Sequence, residues 1–198
     1  MAFDFANLDP SLLAPVHTER VLNDHFVEFY DNDPSLIDSV DRFVSIGIGR
    51  GDAAIVVAEQ AHLDALKEAL SRTINLEAAT ERGLFVALDA EEALSSFMVD
   101  DMPDREKFEQ LVGGLIDKAA AGSRAVRVFG EMVSVLWKLG NVAAALSLED
   151  HWNRLSESHD FRLFCAYPTG VFGDKNVAPL RAVCDRHSHV LVSKVPSL

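Results

Sequence analysis

The stretch AVRVFGEM, residues 125–132, combines an apolar run with two charged side chains, Arg127 and Glu131. The pattern is typical of a buried strand that ends where a helix begins, and such strand ends hold ligands in open α/β folds. Strand side chains alternate with period two, so Arg127 and Glu131 are predicted on one side, where a buried arginine needs an acidic or carbonyl partner. One interpretation is a ligand site built on both residues. The alternative is that Arg127 reaches solvent and Glu131 caps the next helix.

Further ligand-binding candidates share a position at, or just beyond, the end of a predicted strand. They are Tyr30, Glu59, Glu131, Met132 and Tyr167. With Trp137 and Phe129, the aromatic and methionine members could line an apolar pocket with a few polar tips, which is the usual composition of a small-molecule site. The same residue types at helix and strand positions are also typical of a plain core. Both interpretations stay open at this point.

Histidine and cysteine residues supply a second group of candidates. His25 opens the first predicted strand, either as a hydrogen-bonding switch near neutral pH or as a satisfied histidine at the strand entry. Cys184, His187 and His189 form C-x-x-H-x-H, which offers soft ligands at a spacing that suits zinc. The run straddles a helix end and a strand start, however, and Cys165 is the only obvious fourth donor. We therefore expect neither a metal nor a cofactor.

Motifs for catalysis are missing from the sequence. There is no G-x-S-x-G, no H-E-x-x-H and no cysteine with a placed histidine, so we do not expect an enzyme. A phosphate-binding loop needs G-x-x-x-x-G-K-[ST] between a strand and a helix. The corresponding turn here, VVAEQAHLDAL, has neither glycine nor lysine, and Glu59 within it would repel a triphosphate. ATP hydrolysis is therefore not expected.

The elements that position these residues alternate along the chain. Apolar runs bounded by turns predict the strands HFVEFY, AAIVVA, GLFVALD, AVRVFG, FRLFCAY and HVLVSK. Helical periodicity predicts helices from residue 33 to about 47, over 60–70 and 104–122, over 131–158 in two pieces broken near residue 140, and over 178–187. Apolar strands that alternate with amphipathic helices indicate a mostly parallel sheet covered on both faces. The predicted fold class is an α/β, three-layer α/β/α sandwich.

Composition limits the choice of partners and compartment. The 198 residues, 48% of them hydrophobic, suit an N-terminal arm (residues 1–20) followed by one domain (residues 21–198). The formal net charge is −13 and no basic stripe is present, which argues against nucleic acid or an anionic membrane as a partner. The acidic N-terminus does not fit a signal peptide, and two cysteines do not make a disulfide framework. We expect a cytoplasmic protein.

Several segments together resemble the MEDS family, the methanogen/methylotroph DcmR-type sensory domain, over about residues 22–192. The likeness is carried by His-x-x-x-Phe-Tyr at His25–Tyr30, Arg-x-x-x-Glu-Met at Arg127–Met132, and Cys165–Tyr167, with LEDHWNRL between the last two. The resemblance implies a core similar to the RecA and KaiC type, here with a degenerate P-loop, and the sensing of small organic molecules. Family members also occur joined to kinase or transcription-regulator modules, which implies a regulatory protein of that kind as the partner.

The sequence therefore predicts a non-catalytic sensory domain that binds a small, largely apolar organic molecule and relays a signal to a regulatory protein. One alternative is a ligand-free interaction module in a phosphorelay or anti-sigma type of circuit. Another is a nucleotide binder without hydrolysis. A homo-oligomer is compatible with all three.

Overall fold

The computed structural model describes residues 24–122, 124–172 and 177–192 of the chain. The expected N-terminal arm lies outside the described residues, so the domain boundary at residue 21 stays a prediction. Within the described residues, no helix is both long and apolar enough to cross a bilayer.

A parallel sheet of six strands forms the centre of the described fold. The strands are β1 (His25–Tyr30), β2 (Ala53–Ala58), β3 (Phe85–Asp89), β6 (Val126–Gly130), β7 (Phe161–Pro168) and β8 (His189–Val192), and they lie in the order β3-β2-β6-β7-β1-β8. A separate antiparallel pair consists of β4 (Met98–Val99) and β5 (Met102–Pro103). The sheet is covered on both faces, so β2 is buried along its whole length, and this explains why its sequence is a continuous apolar run.

Helices cover the two faces of the sheet. One face carries α1 (Asp33–Gly49), α2 (Gln60–Leu70) and α3 (Leu76–Glu81). The other carries α4 (Ala90–Phe97), α5 (Arg105–Phe108), α6 (Gly114–Ala119), α7 (Met132–Lys138), α8 (Val142–Leu155) and α9 (Val177–Cys184). A π-helical turn, Glu109–Gly113, joins α5 to α6. The predicted three-layer α/β/α sandwich is confirmed, with one apolar core on each side of the sheet.

Three elements of the structure were not predicted: α3, α4 and the β4–β5 hairpin. The hairpin turns at Asp100 and Asp101, whose φ angles of 48° and 63° are the positive values that a tight two-residue turn requires. It lies against the start of α8, where Asn141 Nδ2 donates to Asp101 O at 2.6 Å. Helix α1 begins at Asp33, as predicted, and Asn32 is its cap, where Oδ1 accepts from Ser35 N at 3.0 Å.

Candidate functional site

Arg127 and Glu131 lie at opposite ends of β6, and each has its own partners. Arg127 Nε donates to Asp52 Oδ2 at 2.8 Å, and Nη1 donates to Phe43 O at 3.3 Å. Glu131 follows Arg127 by four positions, which in an extended strand corresponds to a distance of roughly 13 Å. Arg127 instead borders a groove of about 970 Å³ at the amino ends of the strands. The structure therefore does not bring Arg127 and Glu131 together in one ligand site, because the strand carries their side chains to different edges of the sheet.

Glu131 belongs to the carboxyl edge of the sheet, where its fully buried carboxylate faces the start of α2. Oε2 accepts from Glu59 N at 3.0 Å, and Oε1 lies 2.7 Å from His62 Nδ1. Glu131 is the N-cap residue of α7, as one interpretation predicted, but its carboxylate makes no capping hydrogen bond to that helix. It occupies the N-terminus of α2, a position that favours an anion and that a phosphate would take in a phosphate-binding loop.

The charges around Glu131 are compensated within the carboxyl-edge cluster, which we define as Tyr30, Asp33, Glu59, His62, Glu131 and Lys138. The hydrogen bond to Glu131 raises the pKa of His62, against the effect of burial, and Asp33 Oδ1 lies 3.4 Å from the other ring nitrogen. Burial and the charge of Glu131 raise the pKa of Tyr30. The Lys138 ammonium is paired with Glu59.

Glu59, His62 and Glu131 are close enough together to hold a metal ion. Their polar atoms are already engaged, however, since Glu59 is paired with Lys138 and Glu131 holds both the Glu59 amide and His62. A lysine ammonium beside the site also repels a cation. The charges and hydrogen bonds of this cluster are therefore satisfied by the protein itself.

A second polar group lies inside the core on the other face of the sheet. We call it the core polar cluster: His25, Glu149, Cys165, Tyr167 and His187. The Glu149 carboxylate is fully buried at its centre; Tyr167 OH donates to Oε1 at 2.7 Å, and Cys165 Sγ lies 3.7 Å from Oε2. His25 Nε2 lies 3.3 Å from Oε2, and His187 Nε2 lies 3.5 Å from Oε1.

Four separate elements bring the core polar cluster together. Cys165 and Tyr167 alternate along β7 and share the face that α8 covers, while His25 lies at the start of the neighbouring strand β1. Glu149 comes from the buried stripe of α8, and His187 from the turn between α9 and β8. These residues are far apart in sequence, so their meeting depends on the strand order.

The electrostatics of the core polar cluster are dominated by burial. Burial and the Glu149 charge raise the pKa of the Cys165 thiol and of the Tyr167 hydroxyl well above their usual values. Burial lowers the pKa of His187 to about 4 and so favours the neutral imidazole. The hydrogen bond from His187 Nδ1 to Val183 O, at 2.7 Å, acts in the opposite direction but is outweighed by burial.

Beside this cluster lie four rings that we call the aromatic group: Phe29, Trp137, Tyr167 and Phe172. The ring centroid of Trp137 lies 4.9 Å from that of Phe172 and 5.4 Å from that of Tyr167. Met132 is fully buried in the same core, so the structure brings together three of the predicted pocket residues, Met132, Trp137 and Tyr167. Tyr30 and Phe129 lie across the sheet, in the other core, and do not join them.

Sequence reasoning missed Glu149, and the structure separates the three residues of the zinc-spaced run. Glu149 follows Ala145 and Leu148 on the buried stripe of α8, so a carboxylate within an apolar helical stripe was the available signal. Of the C-x-x-H-x-H run, His187 alone enters the cluster. His189 Nε2 lies 3.4 Å from Asp24, and Cys184 is buried outside the cluster.

The family model described as "MEthanogen/methylotroph, DcmR Sensory domain" matches residues 24–183, which is well over half of the chain. A search of curated proteins found no match. The matched segment includes the carboxyl-edge cluster, the aromatic group and four of the five residues of the core polar cluster. The chain belongs to the MEDS family of sensory domains.

Proposed function

We propose that this domain is the input module of a signalling system. In this proposal it binds a small, largely apolar organic molecule at the aromatic group, and the resulting conformational change is passed to a regulatory protein, such as a kinase or a transcription regulator. The domain itself catalyses no reaction in this proposal. The observation that carries the proposal is the hydrogen bond between Tyr167 and the buried Glu149, which joins the buried aromatic group to an ionisable centre. Apolar walls with one or two polar groups are the usual composition of a small-molecule site.

The position of Trp137 supports a route from this site to a partner. Trp137 belongs to the aromatic group, and Leu139, two residues later, is a large apolar side chain that is 76% exposed. The β4–β5 hairpin, hydrogen-bonded to the same corner through Asn141, exposes Val99 and Met102. Exposed apolar side chains grouped at one corner favour docking of another protein. A ligand that moves Trp137 would therefore alter this corner directly.

A catalytic role has one structural argument in its favour and a stronger one against it. Although no motif predicted it, Cys165 Sγ lies 3.4 Å from His25 Nε2, and Asn153 Oδ1 lies 2.9 Å from His25 Nδ1, which is the order of a nucleophile, a base and an orienting amide. The thiol is fully buried, however, and burial raises its pKa, so the thiolate that a nucleophile needs is disfavoured.

Tryptophan fluorescence tests the proposed ligand site, because the chain has two tryptophans on one face of the sheet. The Trp152→Phe variant reports from Trp137 alone, whereas Trp137→Phe reports from Trp152, which packs against Phe108 and Phe161 away from the aromatic group. Titration with 1-butanol, phenol, acetone and chloroform should give a saturable change in Trp152→Phe with at least one probe, and none in Trp137→Phe.

The same titration separates the alternatives. A saturable response to ATP, with none to the organic probes, would favour a nucleotide binder. No response to any probe or to ATP, combined with binding of a regulatory protein by the purified chain, would favour the ligand-free interaction module.

A further inference from the structure

Four donor atoms of the core polar cluster converge on one point of the protein interior. Donor atoms of His25, Glu149, Cys165 and His187 all lie within 4.8 Å of one another. His25 Nε2 lies 3.3 Å from Glu149 Oε2 and 3.4 Å from Cys165 Sγ, and His187 Nε2 lies 3.5 Å from the other carboxylate oxygen, Glu149 Oε1. In a tetrahedral site with bonds of roughly 2.0–2.3 Å, neighbouring ligand atoms are about 3.3–3.8 Å apart. The spacing is that of a ligand set.

Both imidazoles are oriented as metal ligands are. Asn153 Nδ2 donates to Arg186 O at 2.9 Å, which leaves Asn153 Oδ1 to accept from His25 Nδ1. His187 Nδ1 donates to Val183 O at 2.7 Å. Each ring therefore directs its Nε2 lone pair into the cluster, and among the described residues His187 Nε2 is buried without a hydrogen-bond partner. Metal-binding histidines characteristically donate their second ring nitrogen to a carbonyl or carboxamide oxygen in this way.

A cation also suits the charge of the core polar cluster. Its one carboxylate, Glu149, lies between the Nε2 atoms of His25 and His187. The carboxylate is fully buried, where an uncompensated charge is strongly disfavoured. With a divalent ion in place, one carboxylate and one thiolate from Cys165 give a site with no net charge.

We propose that His25, Glu149, Cys165 and His187 bind one divalent transition-metal ion, for which zinc is the best fit. Two nitrogens, one sulfur and one oxygen suit zinc, whereas magnesium and calcium prefer ligand sets made entirely of oxygen. Tyr167 supports the site from outside by its hydrogen bond to Glu149. Because the ion has four protein ligands and no solvent access, it stabilises the fold and ties β1, β7, α8 and the α9–β8 turn together.

This proposal departs from the sequence-based expectation of no metal, and it does not depend on the ligand proposed above. The full chain, purified without a histidine tag and refolded with zinc, should retain one zinc ion per chain after dialysis, as measured by elemental analysis. With cobalt instead, it should show the absorption band of a cobalt–thiolate bond. Cys184→Ser is the matched control, since Cys184 is also a buried free cysteine but lies outside the cluster, and it should behave as the wild type does.

Cys165→Ser should lose the cobalt–thiolate band, and Asn153→Ala should weaken zinc binding by about 10- to 100-fold, because it removes the group that orients His25. Wild-type protein that refolds with native circular dichroism but retains no zinc or cobalt would overturn the proposal, as would a thiolate band that persists in Cys165→Ser. If Cys165→Ser does not fold, the wild-type metal content and the Asn153→Ala affinity still decide the question. None of these readouts involves an organic ligand, so they succeed or fail separately from the proposed sensing function.

Discussion

Arg127 should be energetically coupled to Asp52 and not to Glu131. The Arg127 side chain is 7% exposed and that of Asp52 is 18% exposed, and their 2.8 Å contact is the main compensation for a buried guanidinium. The perturbation is a double-mutant cycle with Arg127→Met and Asp52→Asn, and a second cycle with Arg127→Met and Glu131→Gln.

The expected magnitudes follow from burial and distance. Breaking a fully buried ion pair by removing one partner costs about 3–5 kcal/mol. Water reaches part of Asp52, and Phe43 O remains as an acceptor for Arg127, so we expect Asp52→Asn to cost about 2–3 kcal/mol. The coupling energy between Arg127 and Asp52 should lie at about 1–3 kcal/mol, whereas Arg127 and Glu131, about 13 Å apart, should be additive within about 0.5 kcal/mol.

The assay is urea unfolding of the wild type, the three single variants and the two double variants, followed by far-ultraviolet circular dichroism. Slopes that agree among the variants show that the differences reflect stability and not a changed denatured state. Coupling above about 1 kcal/mol between Arg127 and Glu131, with additivity between Arg127 and Asp52, would refute the placement of the two charges at opposite edges of the sheet.

Three further predictions concern the α1–α3 face. Gly47→Ala should destabilise the protein by about 1–3 kcal/mol in urea unfolding, because the new Cβ would lie 2.4 Å from Arg127 Cδ. The control is Gly49→Ala, which should be nearly neutral because a new Cβ there would have nothing within 4 Å. Equal effects of the two substitutions would contradict the close packing of Gly47 against Arg127. The hydrogen bond to Glu131 raises the pKa of His62, so this residue should stabilise the fold fully below its ordinary pKa of 6.5 and lose that effect as the pH rises through its folded-state pKa. The difference in unfolding free energy between wild type and His62→Gln should therefore shrink with rising pH. A difference that grows with pH would contradict a raised pKa for His62. ATP with magnesium should leave the melting temperature unchanged, since Glu131 occupies the start of α2, whereas a nucleotide at a hundredfold excess over its dissociation constant would add about 2.7 kcal/mol.

The strands and their parallel arrangement could be predicted because burial on both faces demands continuous apolar runs. AAIVVA became β2 with every residue buried, and FRLFCAY became β7. The short helix α4 was missed because Glu91 and Glu92 suggested exposed chain, although Asp89 accepts from both of their amides and caps the helix. Local capping chemistry was thus present in the sequence but was not recognised.

The sites depended on strand order, which local patterns do not contain. Arg127 finds Asp52 because β2 and β6 are neighbours, and the alternation rule alone favoured Glu131. His25 meets Cys165 because β1 pairs with β7, across 140 residues of sequence. Glu149 was not among the residues that the sequence singled out, yet its helical phase relative to Ala145 and Leu148 buries it.

Native mass spectrometry of protein purified from its own host tests the sensing proposal most directly. We expect the wild type and Glu131→Gln to retain the mass of one small organic molecule, and Trp137→Leu to lose it, because the aromatic group and not the carboxyl-edge cluster holds the ligand. A polypeptide without any organic adduct, or an adduct that disappears in Glu131→Gln and persists in Trp137→Leu, would contradict the account.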